Sequence, residues 1–311
     1  MKIAVIGRSE LMYKTALRVI ECGYETPLII TAKESPESKF KAEDFKKLAE
    51  SQNAMFINTA KINDDKVIEQ IRSIGKIDIA VSINYSGIIS KRIMDLFDLG
   101  ILNAHGGDLP RYRGNACQAW AIINKENRLG LCVHKMVGDE LDSGDIISRE
   151  YKDISITTRI GEAYEWMETR IPELMLSAIE ELKKNKNFKI ESQSRDPNNI
   201  LRCYPRNPED GKIDWNSSIE DILRLINASS EPFSGAYSTY KDKKVIIWRA
   251  ELYEDKENYL AVPGQVSKII GEGSVVVICG NGKLQLNEIE SDGKRTSKVA
   301  TVINSIRSRL K

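Results

Sequence analysis

Three side chains of this chain have the types and spacing that acyl transfer needs. Asn103 and His105 lie two residues apart at the end of an apolar run, and Asp142 lies in the turn-rich LDSGD about one βαβ unit later. When an amine attacks an acyl carbon, the carbonyl oxygen gains negative charge. A side-chain amide such as Asn103 donates a hydrogen bond that strengthens as that charge grows. The attacking nitrogen must also lose a proton, a task suited to an imidazole, and a nearby carboxylate orients the ring and stabilises its charged form. Residues two apart on an extended strand point the same way, so Asn103 and His105 can face one reacting atom. Taken singly, Asn, His or Asp in a turn after a strand often only satisfies backbone groups. The combination points to chemistry.

The elements that must hold these residues read as a βαβ alternation. Strand patterns at Lys2–Ile6, Thr26–Thr31, Met55–Asn58, Ile77–Ile83 and Ile101–Ala104 alternate with helical spacing at Leu11–Glu21, Phe40–Ser51, Asp64–Ser73 and Lys91–Asp98. The expected product is an α/β fold, a Rossmann-like and mostly parallel sheet with helices on both faces, which binds ligands beyond the carboxyl ends of its strands. Asn103 and His105 fall at one such end. The first loop, IGRSELMYKTAL, lacks the second and third glycines of a nicotinamide site, so Gly7 reads as a turn former and Ser9 as a helix cap. Gly130–Val137 is a further strand pattern, on which Cys132 and His134 alternate to one face. Two such residues do not make a closed zinc site, and a packed strand accounts for them, so no metal is expected.

Thr158–Lys186 predicts a long helix, interrupted or kinked at Pro172. Polar residues then crowd Ser192–Asn199, which places a boundary near residue 200 and divides the chain into 1–200 and 201–311. Beyond it, a helix at Ser218–Ala228 and short strands at Lys244–Trp248, Gly264–Ile269, Ser274–Cys279 and Lys283–Glu288 predict a small β-barrel-like domain.

The 311 residues suffice for one large and one small core, and the net charge of +1 argues against an extensive nucleic-acid surface. The five scattered cysteines read as reduced thiols. MKIAVIGRSE runs straight into a strand with no signal-peptide pattern, and no segment approaches a membrane span. A cytoplasmic protein without a membrane partner is expected.

The pattern N-x-H-x(3)-L-P-x(2)-R-G, read as Asn103, His105, Leu109, Pro110, Arg113 and Gly114 and followed by D-x-G at Asp142–Gly144, resembles the core of the formyltransferases that use 10-formyltetrahydrofolate. The motif P-x-D-G-x-I-D-W at Pro208–Trp215, with PFSGA at Pro232–Ala236 and PGQV at Pro263–Val266, extends the resemblance over nearly the whole chain. It implies an OB-like C-terminal domain, catalytic roles for Asn103, His105 and Asp142, and a cis Leu109–Pro110 bond. It implies a folate cleft lined by Ser82, Tyr85, Ile88 and Leu109, with Val137, Gly138 and Asp139 facing it from the other side. It also places Arg8, Ser9 and Glu10 near the acceptor.

The resembled family divides by acceptor into enzymes that formylate methionyl-tRNA and enzymes that formylate a nucleotide-linked amino sugar, such as a 4-amino-4,6-dideoxy sugar. Residues 201–311 hold 17 Lys/Arg against 15 Asp/Glu, whereas a tRNA grip needs a clustered basic face. The site turn reads HGGDLP where the tRNA enzymes commonly show HGSLLP. Both features favour the nucleotide-linked sugar over a nucleic acid, with Arg113 and Arg206 as phosphate contacts and Tyr204 as a stacking platform. A homodimer is compatible with this reading. Methionyl-tRNA is the alternative acceptor. A non-catalytic binding module is the alternative class, which leaves the three site residues without a purpose.

Overall fold

The computed structural model describes residues 1–34 and 38–311. In chain order the first elements are β1 (Lys2–Gly7), α1 (Ser9–Glu21), β2 (Glu25–Thr31), α2 (Ala42–Ser51), β3 (Met55–Asn58), α3 (Asp65–Ser73), β4 (Ile79–Ile83), α4 (Lys91–Met94) and β5 (Ile101–His105). Then come β6 (Arg113–Gly114), α5 (Cys117–Ile123), β7 (Arg128–Lys135), β8 (Ile146–Asp153), α6 (Ile160–Lys184) and β9 (Arg202–Cys203). The last part holds α7 (Ile219–Ser229), β10 (Ala236–Tyr240), β11 (Lys243–Tyr253), β12 (Val266–Ile270), β13 (Ser274–Ile278), β14 (Lys283–Ser291) and β15 (Lys294–Thr296). Among the described residues no helix is long and apolar enough to cross a membrane.

The chain divides into two units. The first comprises Met1–Gly114, Leu129–Lys152 and Tyr164–Cys203, and the second Asn115–Arg128, Asp153–Ala163 and Tyr204–Lys311. The first unit is built on a seven-stranded sheet of order β3-β2-β1-β4-β5-β7-β8. β3, β2, β1, β4 and β5 are parallel, and β7 runs antiparallel to β5. Cover on both faces explains why the central runs of these strands are largely apolar. Ile3, Val5, Ile79 and Val81 join the core that includes Met12, Phe45, Met175 and Ile179, whereas Ala4, Ile6 and Ala80 join the one that includes Ile68, Ile71 and Ile93. Each fully buried Ile or Leu contributes about 1.5–3 kcal/mol relative to exposure. The strand order reverses between β1 and β4, the crevice where such sheets take ligands.

α6 runs through Pro172 without a break. Its buried positions Met167, Ile171, Met175, Ile179 and Leu182, spaced by three or four residues, continue past the proline. Packing along that stripe offsets a proline cost of about 3 kcal/mol. The second unit holds an antiparallel sheet of order β10-β11-β14-β13-β12, with β15 on β14. Residues 308–311 bond to Thr239 of β10 on one side, and to Gly264 and Val266 at the start of β12 on the other. They join the two edges of the sheet into the barrel-like domain that the short strands predicted.

Among the described residues of the first half, β6, α5 and β8 were not foreseen. β8 carries Arg149, Glu150, Lys152 and Asp153, and α5 is a short helix inside the motif-rich segment, so neither shows a long apolar period.

Candidate active site

β5 delivers Asn103 and His105 to one face of the sheet. Its antiparallel neighbour β7 sets His134 opposite Asn103 and Cys132 opposite His105, on that same face. Asn103 is half-buried, and its side-chain amide hydrogen-bonds no other described residue. The His105 ring is buried, with Nε2 2.6 Å from the Tyr112 carbonyl and Nδ1 3.6 Å from Oδ2 of Asp142. A carbonyl only accepts, so Nε2 carries a proton, and Nδ1 is the nitrogen that faces the Asp142 carboxylate.

Asp142 reaches this point on a loop that only a particular backbone can follow. Asp142 itself has φ of +46°, in the left-handed region. Two residues on, a Cβ on Gly144 would lie 1.7 Å from the Lys135 carbonyl, which is the physical reason for glycine in D-x-G. Oδ2 of Asp142 accepts the Gly114 N–H at 2.9 Å, and Oδ1 lies 3.5 Å from Nε2 of His134. Burial alone would push this carboxyl up. The charge of His105, the hydrogen bond and charge of His134, and the Gly114 N–H outweigh burial and hold Asp142 well below the usual carboxylate range.

His134 was expected only as a packed strand residue, and the structure corrects that. Its ring is buried, the other nitrogen faces the Lys135 carbonyl at 3.3 Å, and the two imidazoles meet edge to face with centroids 6.3 Å apart. The four ring nitrogens lie 2.6 to 3.6 Å from the Tyr112 and Lys135 carbonyls and the two Asp142 oxygens. The alternation of Cys132 and His134 was the sequence signal for this face. What it lacked was the register to β5. His134→Leu removes the imidazole that lies 3.5 Å from Asp142 Oδ1 and leaves the His105 ring itself unreplaced, so kcat should fall about 10-fold, the size usual for residues that orient a functional group. Steady-state assays beside a His105 variant measure the difference.

The turn that follows His105 is tied down from β8. The Leu109–Pro110 peptide is cis. Arg149 donates to the Leu109 carbonyl at 2.7 Å, and Tyr151 donates to Asp108 at 3.0 Å while accepting from Arg149 at 3.1 Å. Asp108, the residue that distinguishes HGGDLP, is thus a tether of the turn. The Leu109 side chain packs with Cys132 and Ile146, so its carbonyl is the part engaged with Arg149.

The other expected folate-facing residues fall on the loops after β4 and β7. Ser82 is buried in β4, beside Asn103 of β5. Tyr85 is turned by its hydroxyl toward the Thr59 carbonyl, at 2.7 Å. Ile88 is 76 % exposed and Val137 37 %, while Gly138 packs on Lys91 and Asp139 is exposed with φ of +63°.

The residues expected to contact the acceptor are largely committed elsewhere. Arg8 donates to the Asn84 and Lys33 carbonyls at 3.0 and 2.7 Å. Ser9 is no cap: Arg8 holds that position, and the Ser9 hydroxyl accepts from Asn84. Glu10 accepts from the Lys39 N–H. Gly7 is more than a turn former, since a Cβ there would meet the Ile83 carbonyl at 2.1 Å where the loops after β1 and β4 converge. Arg113 gives Nε and Nη2 to Oε1 of Gln193 at 3.2 and 2.8 Å. In the second unit Arg206 bonds the Ala228 and Asp210 carbonyls and the Ser229 hydroxyl and covers the Trp120 ring, and Tyr204, 63 % exposed, accepts from Trp120 through its carbonyl. These arginines build loops, and their use as phosphate clamps is not what the geometry favours.

Comparison with known proteins gives relatives over nearly the whole length. The chain is 28% identical to methionyl-tRNA formyltransferase of Ruminiclostridium cellulolyticum over 309 residues, covering 97% of this chain and 96% of that one. The enzyme of the same name from Clostridium acetobutylicum is also 28% identical, over 307 residues, with the same coverage of both chains. Among solved structures, an N-formyltransferase from Helicobacter canadensis, in complex with folinic acid and dTDP-3-aminofucose, superposes with a TM-score of 0.67 at 18% identity, covering 92% of this chain and 97% of that one. HypX from Aquifex aeolicus gives 0.62 at 18% identity; the match covers 98% of this chain, which spans about half of HypX, at 47%. Residues 1–179 match the formyl transferase family and residues 206–307 match the formyl transferase C-terminal domain, so the chain belongs to the formyl transferase family.

Proposed function

We propose that this protein is an N-formyltransferase that moves a formyl group from 10-formyltetrahydrofolate to the primary amine of a nucleotide-linked amino sugar. The observation that carries the reading is the joint placement of the Asn103 amide, the His105 ring and the ionised Asp142 at the end of β5. The residues present suit a folate donor, because Ile88 and Val137 leave apolar side chains open on the loops after β4 and β7, and the Asn103 amide is uncommitted. When bound, that donor supplies an activated formyl carbon. Asn103 donates to the carbonyl oxygen as negative charge develops there. Nδ1 of His105 takes the proton lost by the attacking amine, and the Tyr112 carbonyl keeps the proton on Nε2. Asp142, already ionised, balances the imidazolium so formed.

For the acceptor, the near-balance of 17 basic and 15 acidic residues in 201–311 favours a small nucleotide-linked substrate over a long phosphate backbone. The second reading, methionyl-tRNA, is favoured by the curated relatives and by a cleft in the second unit lined by Lys241, Arg307, Arg309 and Lys311. Purified protein incubated with 10-formyltetrahydrofolate and either a panel of nucleotide-linked amino sugars or methionyl-tRNA tests both. Formyl transfer to at least one sugar nucleotide is expected. Turnover of methionyl-tRNA with none of the sugars overturns the acceptor and leaves the site chemistry intact. Binding of both ligands without turnover favours the non-catalytic module.

A further inference from the structure

Asp142 is held in a left-handed backbone conformation that a non-glycine residue adopts at a cost of about 1–2 kcal/mol, so something must fix the loop around it. The loop's own sequence, LDSGD, does not supply it. Gln193, fifty-one residues later and buried, does. Its Nε2 donates one hydrogen bond to the Asp142 carbonyl at 2.8 Å and another to the Gly144 carbonyl at 2.7 Å. Its Oε1 accepts from Nε and Nη2 of Arg113, and Arg113 adds a long contact to the Ser194 carbonyl at 3.4 Å. The amide can point only this way, because two acceptors face one end and a guanidinium faces the other. Arg113 is followed by Gly114, whose N–H holds the Asp142 carboxylate, and the pair is pinned by β9 and by the Leu201 carbonyl. Gln193 therefore fixes both the backbone that carries the carboxylate and the residue next to the N–H that receives it.

We infer that Gln193 is a positioning residue for the reaction: it touches no reacting atom, and through Arg113 and the loop at 142–144 it sets where the Asp142 carboxylate meets His105. This rests on the catalytic reading above. A displacement of such a group by about 1 Å costs of order 100-fold, and removal of a residue that orients one costs about 10- to 100-fold.

Two variants test it. Gln193→Met keeps the volume and loses every hydrogen bond. Gln193→Glu keeps an acceptor for Arg113 and loses the donors to both carbonyls. Each should lower kcat at least about 10-fold with KM for 10-formyltetrahydrofolate within about twofold of the parent. The chain has only two histidines. In protein labelled with ¹⁵N-histidine, without donor or acceptor, the His105 ring signals should move in both variants although nothing touching the ring was replaced. Unchanged ring signals overturn the inference whatever the acceptor proves to be, and so does a kcat within twofold of the parent. Parallel loss of kcat and folate affinity, together with a lowered melting temperature, assigns Gln193 to the fold alone and also overturns it. If neither variant folds, Arg113→Lys, which retains the charge but not the two-point grip on Oε1, should show the same split between kcat and KM at about threefold or more. Moved ring signals in a protein that turns over no acceptor leave the inference standing and point to the substrate assignment as the error.

Discussion

His105→Asn, and separately Asn103→Ala, should lower kcat at least about 100-fold, equivalent to about 2.7 kcal/mol of barrier, while affinity for the folate donor stays within a few-fold. The two losses have different origins. An amide at position 105 cannot accept and hold a proton as Nδ1 does, so the attacking amine must lose its proton to water. A methyl group at position 103 leaves the developing oxyanion without the amide donor that no other described residue engages. Steady-state kinetics with a saturating acceptor, together with equilibrium binding of 5-formyltetrahydrofolate, separate turnover from binding. Near-parental kcat in both variants refutes the roles. A fall confined to donor affinity makes Asn103 a binding residue instead.

Asp142→Asn should cost of order 100-fold in kcat, less than the roughly 10⁴-fold that a serine protease loses when its triad carboxylate becomes an amide. The difference is expected because His134 and the Gly114 N–H would still hold the replacement amide near its place. The same variant has a signature in stability. The folded carboxyl is depressed below its ordinary value. Its ionisation thus stabilises the fold above the unfolded value, near pH 4, and that contribution is lost as the pH falls from there toward the folded value. The amide variant lacks the contribution, so the parent should lose more stability than the variant between about pH 6 and pH 3. Chemical denaturation at several pH values measures the two slopes. Parallel slopes would mean that His105, His134 and Gly114 do not hold the carboxylate ionised in solution. A change in stability with kcat untouched would leave Asp142 a structural residue.

The features legible in the sequence were those written over short distances. KIAVIG and IAVSI are apolar at nearly every position because both faces of β1 and β4 are covered, so the parallel sheet could be read from local runs. Asn103 and His105 share a strand end, and their common direction follows from a period of two. What could not be read depends on partners far along the chain. His134 lies opposite Asn103 only because β7 pairs antiparallel with β5 in one register. Arg113 and Arg206 looked like phosphate ligands because guanidinium groups often are, yet each spends donors on carbonyls, an amide or a hydroxyl, the nearest four residues away in sequence and the farthest 81. Gln193 sits in a polar stretch that reads only as a linker, and nothing within ten residues of it hints at the carbonyls it binds.

The second unit is assembled from three stretches of chain, and this bears on how such proteins can be recombined. Arg224 of α7 bonds the carbonyl of Ile122 in α5, Asn227 bonds that of Ile156, and the Ile154 N–H bonds Asn127. A hybrid joined once near residue 200 would therefore pair α7 from one parent with α5 and the 153–163 stretch from another. Its barrel could be correct in every strand and still rest on mismatched neighbours. Exchanging this unit between relatives that differ in acceptor calls for transplanting Asn115–Arg128 and Asp153–Ala163 along with Tyr204–Lys311, five junctions in place of one.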